Sequence, residues 1–303
     1  MPGLISFVLP VRDRDIKRIR NCVDSLQSEY TEEVIIVDYG SKIPVEKIKG
    51  ARIIRYDKNP IFNKPHAINI GIKQAKAEYV SSVDCDMIIP PEFLGAAVSH
   101  LYGNSFIYSI NVKRIKPDDV SDDFKKMLDK SWNWNENSKG RYSIIHNANG
   151  GIQIYPKKWI YDIGGTDEAL VYWGGMDNDV FERAILSGLV VINLNVPILH
   201  QEHEFKKEQN LPIGERGRAM RLRIERMRYL EEMLESGDYT RNNGHWGEDT
   251  PNQKRFLQIE AELIKKEKES DIKSIGYQEA FVQAVKEGKD SFIFEKKEVK
   301  ISA

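Results

Sequence analysis

Asp84-Cys85-Asp86 is the sharpest chemical feature of the chain: two carboxylates one residue apart, directly beyond a short apolar run. Oxygens spaced this way converge on a hard divalent cation such as Mg²⁺ or Mn²⁺, which takes carboxylates together with diphosphate oxygens. Such pairs also occur on plain solvated turns, so the place after a strand is what favours the metal reading. His200-Gln201-Glu202-His203 is a second cluster. Imidazole nitrogens bind Mn²⁺ as well as Zn²⁺, and one of these histidines could complete a site begun by Asp86. Two carboxylates and two histidines also suit zinc, although no helical His-Glu-x-x-His occurs; exposed loop histidines are the plainer alternative. The third feature is Trp173-Gly174-Gly175-Met176-Asp177-Asn178-Asp179. Paired glycines let backbone approach a ligand closely, and Asp177 would fall in the first turn of the next helix, where the dipole stabilises a carboxylate. Ordinary helix-start preference explains the acids but not the aromatic-glycine-glycine before them. Arg12 and Arg14 after Pro10, and Lys64 in Phe62-Asn63-Lys64 before a helix start, are candidate cations for phosphate. Taken singly, each is an ordinary surface charge.

These residues need a frame. Residues 4–9 read as a buried strand, and a helix is expected over about 15–27 with Ile16, Ile19, Val23 and Leu26 on one face. β-Branched runs follow at 34–37 and 53–56, then a helix over 66–77 and a strand over 79–83 that ends at Asp84. Strand, helix and strand in repetition mean parallel strands with crossover helices, an α/β fold. Ligands of such sheets bind at the carboxyl ends of the strands, where Arg12, Asp38 and Asp84 fall. Residues 115–142 are polar with a helical centre at 124–132 and read as an insertion. Strand-like runs return at 143–155, 189–194 and 196–199, with a helix over 176–187. Past 215 the character changes: Met220, Ile224, Met227, Leu230 and Leu234 mark one helix seam, and Phe256, Ile259 and Leu263 another. A boundary is expected there, dividing an α/β domain, 1–215, from a mainly helical extension, 216–303.

Composition narrows the function classes. In 303 residues, 45 basic and 46 acidic side chains cancel, leaving no global field to attract nucleic acid. No apolar stretch approaches the ~18 residues of a membrane span. The apolar start at 4–9 lacks the basic lead and small-residue cleavage site of a signal peptide. Cys22 and Cys85 form neither a metal-type pair nor a disulfide framework. The expectation is a reduced, cytoplasmic protein without a transmembrane segment.

Taken together, the motifs resemble the β-1,4-galactosyltransferase family and, more distantly, the broad inverting family 2 transferases of the same fold. Pro10-Val11-Arg12-Asp13-Arg14 is similar to that family's Pro-Phe-Arg-Asn-Arg start. Phe62-Asn63-Lys64 through Asn69-Ile70-Gly71 resembles its Phe-Asn-Arg and Asn-Val-Gly, and Asp84-Cys85-Asp86 its Asp-Val-Asp. Gly150-Gly151 stands at its Gly-Gly, and residues 173–179 followed by Phe181 at its Trp-Gly-Gly-Glu-Asp-Asp-Asp and helix. His203 falls where it has a metal-binding histidine and His200 where it has a methionine ligand. The likeness spans residues 4–210. It implies a GT-A-type mixed sheet with flanking helices and a metal-dependent, inverting hexosyl transfer from a UDP-sugar to a saccharide or glycoconjugate hydroxyl. Asp86, His200 and His203 would hold Mn²⁺ or Mg²⁺. Pro10, Arg12, Arg14, Asp38, Phe62, Lys64, Asp84, Asp86 and Trp173 would form the donor side. Gly151, Trp173, Gly174, Gly175, Met176 and Asp177 would form the acceptor side, with Asp177 the general base. The polar stretch 204–217 would be a lid.

The departures are as informative. Met176 replaces the acid with which that family grips its acceptor sugar, which removes the basis for an N-acetylglucosamine acceptor. Asp38-Tyr39 offers one acid where broader relatives often have two. The family's Golgi anchor has no counterpart, so a microbial or viral cytoplasmic enzyme is expected. Arg216, Arg218, Arg221, Arg223, Arg226 and Arg228 offer a basic face for an anionic acceptor or for peripheral membrane contact. Alternatively they form a solvated face balanced by Glu225, Glu231, Glu232 and Glu235. A nucleotidyltransferase would carry a glycine-rich loop after the first strand, where this chain has none. A retaining transferase of the same fold is a nearer rival, against which Asp177 on the acceptor side counts. A non-catalytic carbohydrate-binding descendant is the rival from another class, and the joint retention of metal pair, histidine and base counts against it.

Overall fold

The computed structural model describes residues 3–133, 151–172, 174–203, 218–219, 221–269, 284, 287, 291–294 and 297–300. The chain opens with β1 (Ile5–Val11), α1 (Ile16–Ser25), β2 (Thr31–Tyr39), β3 (Ala51–Tyr56), α2 (Lys64–Gln74) and β4 (Tyr79–Val83). It continues through β5 (Met87–Ile88), α3 (Pro91–Ser99), β6 (Ser105–Tyr108), β7 (Val112–Ile115), α4 (Phe124–Lys130) and β8 (Trp132–Asn133). Then come β9 (Ile152–Pro156), α5 (Lys157–Asp162), α6 (Met176–Leu186), β10 (Val190–Asn193) and β11 (Ile198–Gln201). Every residue of β1 is buried, as a strand covered by helices on both faces must be.

The described strands form a seven-stranded sheet in the order β10-β6-β9-β4-β1-β2-β3. β1 pairs in parallel with β2 and β4, and β2 with β3, while β9 runs antiparallel to β4 and β6. This is the mixed, helix-flanked sheet expected of the chain. Each face carries its own core. Phe7, Leu9 and Val11 face Ile19, Cys22 and Val23 of α1 and Phe93, Leu94 and Ala97 of α3. Val8, Ile35 and Val37 share a core with Ala67, Ile68 and Ile72 of α2 on the other face. Helix starts follow from local chemistry: Asp15 accepts from Arg18 N at 3.1 Å to cap α1, and Asn63 accepts from His66 N at 3.0 Å to cap α2. Gly71 lets α2 lie close on β1, because a Cβ there would come 2.3 Å from Val8 Cγ1.

A second sheet, β5-β11-β7-β8, was not evident as such in the sequence. Its strands run to two or four residues, too short to declare themselves by periodicity. The expected strand over 143–155 is described only from Gly151 onward, as β9.

The C-terminal part holds helices Arg223–Ser236 and Lys254–Glu269 and a two-stranded antiparallel hairpin, Ser291–Phe294 with Lys297–Lys300. One expectation is corrected by the first of these helices. The first helix does not bury Met227 and Leu234, which are 40% and 37% exposed; its inward side carries Arg226 and Tyr229, with Leu222 just before it. Met220 and Arg216 lie outside the described residues. Of the two readings of the arginine run, the described residues do not form an open basic face. Arg218 and Arg221 pair with Glu260, Arg226 is buried and donates to Val171 O, and Arg228 pairs with Glu225. Arg223 is exposed. No helix of the described residues is long and apolar enough to cross a membrane.

Candidate active site

The small sheet brings the metal-type residues together. β5 pairs antiparallel with β11, Met87 opposite His200, and Gln201 N donates to Asp86 O at 2.9 Å. His203 Nε2 consequently lies 3.3 Å and His200 Nε2 3.6 Å from Asp86 Oδ2. One ligand atom from each of the three lies within 4.8 Å of the others. Asp86 Oδ1 is buried with no hydrogen-bond partner among the described residues, an arrangement that is costly unless a cation or water completes it. Burial opposes the Asp86 charge, but His200, His203 and Arg14 outweigh it and hold the carboxyl well below its ordinary value. Burial likewise pushes His200 down, toward the neutral imidazole that offers a lone pair. One carboxylate and two imidazoles fit Mn²⁺ well and Mg²⁺ less well.

Lys64, the first residue of α2, connects this cluster to the glycine-rich segment. Its Nζ lies 2.6 Å from Asp84 and 3.8 Å from Asp177. Burial acts against the ammonium, but Asp177 and Asp84 outweigh it and raise its pKa. Asp177 is pushed above the ordinary carboxyl range, first by burial and then by Asp84, with Lys64 opposing. These residues line a cavity of about 150 Å³ with Pro65, Leu170, Tyr172, Gly174 and Met176. Asp177 is a third exposed toward it.

The elements behind Asp177 are firmly tied. Tyr172, Gly174 and Gly175 all have left-handed backbones, with φ of 66°, 98° and 88°. For Tyr172 that conformation costs about 1–2 kcal/mol. Its N–H donates to Phe62 O at 3.2 Å. Gln153 of β9, which sequence reasoning passed over, donates from Nε2 to Asp177 O at 3.0 Å; its place two residues after the Gly-Gly was the available signal. Asp179, one turn position on, is 2% exposed and pairs with Arg183 and Arg241, both at 2.9 Å.

Other sequence candidates are placed less centrally. Pro10 is buried within β1, opposite Val37. Phe62 packs edge-on against Tyr39, ring centroids 5.8 Å apart. Asp38 is 1% exposed, and its oxygens accept from Ser41 N, Val45 N and Arg55 Nη1. Arg12 donates to Pro60 O at 2.8 Å through Nη2. Gly151 adjoins the carboxylate pair, its carbonyl accepting from Asp84 N at 3.1 Å. Met176 is buried yet forms part of the cavity wall. Trp173 and the 204–217 stretch lie outside the described residues.

Residues 6–164, more than half the chain, match the family described as glycosyl transferase family 2. The chain belongs to that family. As a glycosyltransferase it also matches, over residues 135–207, the family described as the N-terminal domain of galactosyltransferase. The two matches divide the site: the first covers Arg12, Lys64, Asp84 and Asp86, and the second Asp177, His200 and His203. Among curated proteins, this glycosyltransferase is similar to the chondroitin synthases of Escherichia coli and Pasteurella multocida (strain Pm70). The first is 25% identical, with 61% of this chain and 32% of that protein covered. The second is 22% identical, with 76% and 28% covered. The chain therefore spans about a third of the length of these relatives. Its fold is similar to the crystal structure of GalNAc-T7 with UDP, GalNAc and Mn²⁺, at a TM-score of 0.51 and 14% identity, covering 78% of this chain and 55% of that one. That likeness is one of fold, the GT-A fold.

Proposed function

We propose that this glycosyltransferase moves a hexosyl group, N-acetylgalactosamine or galactose first, from a UDP-sugar to a saccharide or glycoconjugate hydroxyl, with inversion and with a divalent cation. One arrangement carries the reading. Lys64 stands between Asp84 and Asp177, so the candidate base opens on the same cavity as Asp84, whose partner in the carboxylate pair, Asp86, faces His200 and His203. The relatives support the donor: one is solved with UDP, GalNAc and Mn²⁺ and two are chondroitin synthases.

Asp86, His200 and His203 would hold the cation, which when bound neutralises charge growing on the departing diphosphate. Asp177 accepts the proton of the acceptor hydroxyl while the oxygen's electron pair attacks the anomeric carbon. The bond from that carbon to the diphosphate oxygen breaks, and its electron pair leaves with UDP. A positioned base contributes typically about 10²–10⁴-fold, and its raised pKa makes Asp177 a better proton acceptor than an ordinary carboxylate. One displacement inverts the anomeric centre.

A nucleotide-release screen tests this. The protein receives Mn²⁺ with UDP-N-acetylgalactosamine, UDP-galactose and UDP-glucose in turn, beside the Asp86→Ala variant. UDP release from one donor, dependent on metal and abolished in Asp86→Ala, is the expected result, and product stereochemistry then reads inversion directly. Neither release nor metal-dependent UDP binding with any donor sinks the proposal in favour of a non-catalytic carbohydrate-binding role.

A further inference from the structure

Helix Lys254–Glu269 sends one carboxylate into the wall of the candidate site. Glu260 is 2% exposed. It accepts from Tyr172 Oη at 2.8 Å through Oε2 and from Arg218 Nε and Nη2 at 2.6 and 2.7 Å through both oxygens, with Arg221 at 3.8 Å. The Arg218 guanidinium lies over the Tyr172 ring, 4.8 Å from its centroid. A planar fork on a carboxylate and a stack on an aromatic face are both geometries that Arg offers and Lys does not. Tyr172 is thereby gripped at its hydroxyl and on its face. It is also the left-handed residue that leads into the glycines before Asp177, and it lines the cavity. Next to it, Val171 O accepts from buried Arg226. Every one of these grips comes from residues past 215, outside both family matches.

We infer that Glu260, acting through Tyr172, is a positioning residue for Asp177. The C-terminal helices are thus part of the active-site scaffold and not an appendage to it. A left-handed tyrosine relaxes toward extended backbone when its side chain is released, and that rotation swings the first turn of α6. Small displacements of a reacting carboxylate are costly in rate, on the order of 10²-fold for 1 Å, whereas the candidate cation residues Asp86, His200 and His203 stand on and beside β5 and β11, away from this grip.

The inference rests on Asp177 being the base proposed above, and the experiment separates the two. Tyr172→Phe removes one hydroxyl, Glu260→Gln removes the charge and keeps the shape, and the double variant joins them. UDP release from the donor identified in the screen is measured with UDP·Mn²⁺ affinity and with hydrogen exchange at amides 174–179. Expected are kcat losses of roughly 10-fold or more in each single variant, UDP·Mn²⁺ affinity within about two-fold, faster exchange at 174–179, and a double variant no worse than the worse single. If Glu260→Gln fails to fold, Tyr172→Phe decides alone. Folded Tyr172→Phe with unchanged kcat and unchanged exchange overturns the inference, as do additive losses or a parallel loss of UDP affinity. A wild-type protein that releases no UDP sinks the proposed function instead; exchange at 174–179 then still decides whether Glu260 holds the segment.

Discussion

In the proposed mechanism the chemistry turns on Asp177 with Lys64 beside it. A general base works when deprotonated, so the rate must fall as pH drops through the Asp177 pKa. Burial and Asp84 raise that pKa, which sets the acid limb of the pH–rate profile above the ~4 of an ordinary aspartate. Lys64 pulls in the opposite direction. Lys64→Met removes a positive charge from beside the carboxylate, disfavours its ionised form and moves the limb to higher pH. The position of the limb at saturating Mn²⁺, not the height of the plateau, is what should be compared between wild type and variant. A limb that stays in place or moves to lower pH contradicts Asp177 as the titrating base. Asp177→Asn should lower kcat by about 10²–10⁴-fold with UDP binding retained.

At the scale of elements, α6 is fixed by charge rather than by apolar contact alone. Asp179 binds Arg183 within the helix and Arg241 from the C-terminal part, all three within 7% exposure. Removing one member of a buried ion cluster strands its partners, at about 3–5 kcal/mol. Asp179→Asn should therefore lower unfolding free energy in urea by about 3 kcal/mol or more; a loss under about 1 kcal/mol would mean that Arg183 is satisfied by Gly165 O, and Arg241 by Asp167 and Thr240 O. α2 has a comparable polar anchor. His66 Nε2 must donate to Glu248 O at 2.6 Å, since a carbonyl only accepts, which leaves Nδ1 to accept from Tyr39 Oη at 2.7 Å. Burial pushes the His66 pKa down, so the folded state disfavours its proton. Stability from this source is present above the unfolded-state value of ~6.5 and is lost as pH falls below it. Melting temperatures of wild type and His66→Gln should converge between pH 7 and pH 5; parallel curves would remove His66 from the acid response.

At the scale of the whole molecule, the C-terminal helices join the core on one face of the sheet. Leu222, Tyr229, Trp246 and Phe256 enter the same apolar cluster as α2 and α6. Glu168 accepts from Asn69 on one side and from Gly247 N and Asn252 N on the other. A chain ended at 215 would expose that cluster, take Gly247 and Asn252 from Glu168 and Arg241 from Asp179, and leave buried Asp167 without Tyr229 and Arg241. The intact protein is expected to melt in a single cooperative transition, and residues 1–215 alone to be recovered aggregated or molten. A 1–215 fragment with the full melting temperature would instead support 215 as a boundary between independent units.

The succession of strands and helices through residue 83 was readable because each element carries its own period and its own cap: continuous apolar β1, Asp15 before α1, Asn63 before α2. The carboxylate pair was readable for the same reason, standing at the end of a strand that announces itself. What only the tertiary structure decided is the direction side chains take once elements pack. Asp38 and Phe62 carry the right chemistry beside the right strands, yet their partners Arg55 and Tyr39 draw them inward. The arginine run left open a basic face or a face balanced by nearby glutamates; Glu260, half a helix into another segment, gathers Arg218 and Arg221. That Asp86 meets His200 and His203 was expected from the resemblance, but the strands of two and four residues that bring them together are too short for a period and are set by pairing across the fold. Local sequence states which face of an element is apolar; which charge waits opposite depends on long-range packing that no local pattern encodes.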